Sequence, residues 1–124
     1  MKSLIISIVL SSTLSSWNIL DSISIPIECQ IVEFYKESDA YTIETRGITN
    51  FKKIETTGTF LVPATLQPGK FIVNVSRKEN NFYKIETSDL WVETIYCFEW
   101  AIWQEVVIII DNYYGYTKGR IIFN

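Results

Sequence analysis

Between Leu90 and Phe123 the chain carries three of its four tryptophans, four of its seven tyrosines and the run Val106-Val107-Ile108-Ile109-Ile110. Side chains this large and apolar have to be buried against something. Branched and aromatic residues fit a pleated, half-buried surface, so the segment reads as strands. The remainder of the chain must then supply the other strands of the same sheet.

Upstream the pattern agrees. Pro26 favours extended backbone before it, and Ile27 to Lys36 reads as a strand. Its alternation changes phase at Ile31-Val32, which predicts a bulge or bend. Glu37-Ser38-Asp39 reads as a turn. Tyr41 to Arg46 alternates, with Tyr41, Ile43 and Thr45 opposing Thr42, Glu44 and Arg46, and predicts a strand. Phe51 to Thr57 predicts a third strand, Gly58 a break, and Thr59 to Val62 a short fourth closed by Pro63. Leu66-Gln67-Pro68-Gly69 is a turn in which Pro fixes φ and Gly supplies the following conformation. Lys70 to Arg77 and Phe82 to Thr87, joined by Glu79-Asn80-Asn81, predict a hairpin. Leu90 to Phe98, Glu105 to Asp111 and Lys118 to Phe123 complete the strands. The join Glu99 to Gln104 reads either as a short helix, because Tyr96, Trp100, Trp103 and Val107 recur at helical spacing, or as a wide loop across a barrel end. No other helix is expected after the leader.

A chain of 124 residues holds one core, and with 48% hydrophobic and 20% charged residues it is globular rather than disordered. The expected architecture is all-β: a small antiparallel barrel or sandwich of about seven or eight strands. The N-terminus resembles an export leader. Lys2 supplies the positive start, Leu4 to Leu10 the short apolar core, and Ser11 to Ser16 the small-residue stretch for cleavage. The expected division is a signal peptide over 1–16 and a single all-β domain over 17–124. An uncleaved anchor and an ordinary core element are the alternatives. The many hydroxyls near the start suit a hydrocarbon span poorly.

Cys29 and Cys97 are the only cysteines. An exported chain permits a disulfide between them. Strand parity opposes it mildly, because Cys29 shares a face with Ile27 and Ile31, whereas Cys97 shares one with Glu93 and Glu99. A bridge and two free thiols both stay open on the sequence.

Two stretches carry resemblances. Glu93-Thr94-Ile95-Tyr96-Cys97-Phe98-Glu99-Trp100, then Val106-Val107-Ile108-Ile109 and Gly115-Tyr116-Thr117-Lys118-Gly119-Arg120-Ile121-Ile122-Phe123, resemble the ending of a group of short uncharacterised bacterial proteins. That resemblance covers about the last quarter of the chain and implies no activity. Leu66-x-Pro68-Gly69-x-Phe71-x-Val73-x-Val75 is similar to a turn–strand phrase of bacterial surface β-sandwich domains.

The chemistry is narrow. The chain has no histidine, which removes Ser–His and Cys–His catalysis and the common zinc sites. No glycine-rich loop opens a helix, and Asp111-Asn112 is too sparse for a calcium loop. No cofactor or metal is implied. A net charge of −3 and only two basic pairs, Lys52-Lys53 and Arg77-Lys78, argue against a nucleic-acid partner. Glu93, Glu99, Glu105 and Asp111 are the candidate acids for a small hydrolase with paired carboxylates. On a sheet, such residues are more often its wet face.

The aromatics carry the leading expectation. Rings beyond the needs of one small core form platforms for a protein or a glycan. The surplus rings are Trp91, Trp100, Trp103, Tyr113, Tyr114 and Tyr116; the candidate ligand-binding residues are Tyr113, Tyr114, Tyr116, Trp100 and Trp103, and core packing is the competing reading, the stronger one for all three tryptophans. Non-catalytic binding outside the cytoplasm, periplasmic or extracellular, is the expected function. An assembly subunit lending Ile121–Phe123 as a pairing edge is the alternative from another class. Oligomeric state is open.

Overall fold

A computed structural model describes residues 25–111 and 117–124. The signal-peptide reading of 1–16 and the tyrosine loop lie outside them. Eight strands form one antiparallel sheet: β1 (Ile27–Ser38), β2 (Lys52–Ile54), β3 (Thr59–Pro63), β4 (Gly69–Glu79), β5 (Phe82–Ile85), β6 (Leu90–Ile95), β7 (Gln104–Ile110) and β8 (Gly119–Phe123). Their spatial order is β2-β3-β1-β6-β5-β4-β7-β8, and β8 returns to pair with β1. Six strands therefore close into a barrel, and β2 and β3 form a flap on its side.

β1 makes this possible, because its two halves serve different partners. Ile27–Ile31 pair with β8 and Tyr35–Ser38 with β3, while Gln30–Lys36 pair with β6. Its register shifts between Ile31 and Glu33, so the bulge read from the sequence is present. Cys29 and Ile31 are buried before the bulge and Phe34 after it. One extra residue keeps the apolar side chains facing inward while the strand bends around the barrel.

Two clusters divide the burial. The barrel interior is filled from every wall strand, for example by Phe34, Val75, Tyr83, Val92, Ile108 and Ile121. The outer cluster joins Tyr35, Trp91, Ile54 and Leu61, with Phe82 packed against it. The flap thus covers one outer wall of the barrel. Trp91 Nε1 donates to Glu37 Oε2 at 2.7 Å, which satisfies the indole where the ring is buried.

Three expectations are corrected. Tyr41 to Arg46 is no strand: Ala40–Thr45 form a short helix, α1, so the leader is not the only place for a helix. Asp39 caps it, accepting from the Thr42 backbone N–H at 2.6 Å. In so short a stretch, alternation and a single helical turn bury the same one residue, Ile43. Phe51 to Thr57 shrinks to Lys52–Ile54, because the chain turns at 55–58, with Gly58 at φ 68°. Finally, Ile121–Phe123 is not a free edge. β8 is paired to β7 on one side and to β1 on the other.

Candidate functional site

Between β6 and β7 the chain crosses one end of the barrel. Along this crossing large side chains alternate with small or polar ones. Tyr96 is 83% exposed, Phe98 78%, Trp100 69%, Ile102 67% and Trp103 54%. Cys97 and Ala101, between them, are buried. Cys97 and Ala101 face the barrel interior, and the five large apolar side chains stand in water as a ledge. Five large apolar side chains exposed within eight residues are more than scattered surface exposure accounts for.

The ledge is held from below. Cys97 is bonded to Cys29 of β1, with a Cα separation of 5.3 Å. The Tyr83 hydroxyl, inside the barrel, donates to the Glu99 carbonyl and lies 3.3 Å from Cys97 Sγ. Burial, the main cause, raises the Tyr83 pKa; nearby Glu99 adds to the rise and Arg77 opposes it, so the hydroxyl stays a donor. The Arg77 backbone N–H donates to the Ala101 carbonyl at 2.9 Å, and the Trp103 N–H donates to Ser76 Oγ at 2.8 Å. The Arg77 guanidinium reaches the Phe98 carbonyl at 3.4 Å. The apolar groups therefore project from a backbone tied down at the Phe98, Glu99 and Ala101 carbonyls.

Left-handed backbone brackets the crossing, at Tyr96 (φ 56°) and Trp103 (φ 48°). Such conformations cost a non-glycine residue about 1–2 kcal/mol. The turn at Tyr96 also explains the disulfide. Parity counted from Glu93 puts Cys97 on the wet face; the left-handed residue breaks that count and swings Cys97 inward. Of the two readings left open by the sequence, the bridge is the one that forms.

The structure leaves Trp100 and Trp103 both exposed on the crossing, while Trp91 is buried in the outer cluster. Tyr113, Tyr114 and Tyr116 lie outside the described residues. Tyr96, Phe98 and Ile102 belong to the ledge and were not singled out from the sequence. The helical reading of Tyr96, Trp100 and Trp103 hid a period of two, with large residues at 96, 98, 100 and 102. The join is a loop across the barrel end rather than a short helix.

The candidate acids do not converge on a cleft. Glu93 sits on the outer wall, accepting from the Tyr35 hydroxyl at 2.8 Å, and its register partner is Glu33. Lys118 Nζ neutralises Glu33 at 2.8 Å. Glu99 belongs to the ledge loop, Glu105 is exposed at the start of β7, and Asp111 follows the far end of that strand. Among the described residues no group of three or more His, Cys, Asp or Glu could hold a metal ion, and no helix is long and apolar enough to cross a membrane. Comparison with known proteins adds nothing to this geometry: no protein-family model, curated protein or solved structure matches the chain.

Proposed function

We propose that this protein is an exported, non-catalytic binding module that docks a protein partner on the ledge formed by Tyr96, Phe98, Trp100, Ile102 and Trp103. The observation that carries the reading is the exposure of these five side chains on a backbone fixed by a disulfide and by hydrogen bonds to the barrel. Trp and Tyr dominate the energetics of protein interfaces, and a pre-ordered loop loses little entropy when it binds. The disulfide supports an oxidising compartment, in keeping with an export leader.

A glycan is the second reading, favoured by the two exposed indoles of Trp100 and Trp103, which are flat enough to stack on sugar rings. Phe98 and Ile102 favour protein, because a branched aliphatic side chain offers no stacking face. Wild type and a Trp100→Ser/Trp103→Ser variant, immobilised in parallel, distinguish the readings. Cross-linked partners from envelope extract should be captured by wild type alone, and each should then bind as a purified protein about 30-fold more weakly to the variant. A glycan array that lights up for wild type alone would move the assignment to sugar. Equal capture by both proteins, with no array signal, would remove the ledge from function.

A further inference from the structure

The end of the barrel away from the ledge is hollow. The start of β4, the end of β7 and the link from β5 to β6 surround a cavity of about 500 Å³. Its floor is the barrel core itself: Ile85, Ile108 and Ile110 line it and belong to the inner cluster. Leu66, Val73 and Leu90, partly buried against that cluster, form the walls, and Phe71 stands at the rim, 43% exposed. A cavity of this size, apolar inside and set in a barrel mouth, matches the sites that take small molecules.

The rim is built before any ligand arrives. Thr87, in the link, is held in left-handed backbone at φ 64°, which branched residues seldom adopt. Backbone of this kind clusters at ligand sites. The Thr87 hydroxyl donates to the Glu86 carbonyl and the Ser88 hydroxyl to the Ile85 carbonyl, while the Leu90 N–H donates to Ser88 Oγ. The hydroxyls of the link thus hold its own backbone in shape.

Charge narrows the occupant. Among the described residues that line the cavity there is no lysine or arginine, and the carboxylate is that of Glu86, 8% exposed with Lys78 Nζ at 3.6 Å. An anionic head would meet that carboxylate with no cation in the lining to offset it. Two carboxamides, Gln67 and Asn74, complete the lining on its exposed side. A carboxamide both donates and accepts, which suits a neutral hydroxyl or carbonyl.

We infer that the cavity binds a small molecule with a compact hydrocarbon body and a neutral polar head. The body fills the space between Val73, Leu90 and Ile108, and the head meets Gln67 and Asn74. The site is separate from the ledge, because it lies at the other end of β6 and β7, and it does not depend on the ledge's partner.

The test titrates the full chain with N-phenyl-1-naphthylamine, a neutral dye that brightens in apolar surroundings. Adamantanol and adamantanecarboxylate then compete, sharing a body and differing in the charge of the head. The dye should bind saturably, one per chain, and adamantanol should displace it about tenfold better than the carboxylate does. Val73→Phe and Leu90→Phe fill the cavity, and each should weaken the dye about tenfold. Should neither variant fold by circular dichroism, nuclear Overhauser contacts from the dye to the methyl groups of Val73, Leu90 and Ile108 in wild type locate the same site. Binding that survives both fillings, or contacts confined to Trp100 and Trp103, would put the dye on the ledge and overturn the inference. Equal displacement by the two competitors, or no saturable binding, would overturn it as well.

Discussion

The Tyr83 hydroxyl reaches from the barrel interior to the Glu99 carbonyl of the exposed loop, so one residue belongs to both the core and the ledge. Tyr83→Phe keeps the ring in the core and leaves the carbonyl unpaired. A loss of about 1–3 kcal/mol is expected. Amide exchange at residues 98–103 should speed up more than exchange in β1 or β7, which hydrogen-exchange mass spectrometry reads directly. Uniform change across the barrel would show that the hydroxyl does not act on the loop.

The Cys29–Cys97 bridge closes a loop with a sequence separation of 68 residues. By the loop-entropy relation its removal should cost about 4 kcal/mol. Urea titration of Cys29→Ala/Cys97→Ala should show the lower midpoint, and reductant should lower the wild-type midpoint while leaving the variant unchanged. Because the bridge also tethers the ledge, partner capture should weaken in the variant even where the barrel remains folded.

Gly119 opens β8 where it lies against β7, and a Cβ there would overlap the Ile109 carbonyl oxygen. That atom is backbone within the barrel wall and has little room to retreat. Gly119→Ala should therefore cost at least about 2 kcal/mol in thermal or urea unfolding. Gly58 is the control. It has φ 68°, but a methyl group added there would meet no atom within 4 Å. Gly58→Ala should therefore cost only about 1 kcal/mol of backbone strain.

Tyr35 donates to Glu93 on the outer wall, and its pKa is raised first by burial, then by that hydrogen bond and by the charges of Glu93 and Glu33. A raised pKa means the folded state holds the proton more tightly than the unfolded chain. The associated stability is whole below the ordinary tyrosine value, about pH 10, and is lost as pH rises through the folded value. Urea midpoints measured from pH 8 upward should fall on the alkaline side, and Tyr35→Phe should flatten part of that fall. Tyr83, also raised, keeps the rest. An identical alkaline slope in the variant would assign the effect elsewhere.

Strand periodicity was legible wherever the barrel buries one face. The hairpin at 70–87, the phase change at Ile31-Val32 and the terminal strands all follow from alternation that the fold uses. The phrase Ile-Glu-Thr shows where legibility stops. It occurs at 43–45, 54–56 and 85–87, and its isoleucine is buried each time. Yet it closes a helix once and a strand twice. Local letters fix burial there, while the Asp39 cap decides the helix. The ledge was half legible: Trp100 and Trp103 stood out as surplus rings. That Cys97 and Ala101 would turn inward, lifting Tyr96, Phe98 and Ile102 out, depends on the left-handed residue at Tyr96, which no alternation rule foresees. Ile121–Phe123 reads as an edge from its position in the chain, but pairing with β7 and β1 covers it on both sides.

Closure of the barrel by β8 against β1 also sets an order of events. Ile27 pairs with Phe123, so the wall is complete only after every other strand has been made. Such non-local pairing folds slowly, because a long loop must be closed before any contact rewards it. A chain that delays its final seam keeps the interior reachable until late, when its first and last described strands meet.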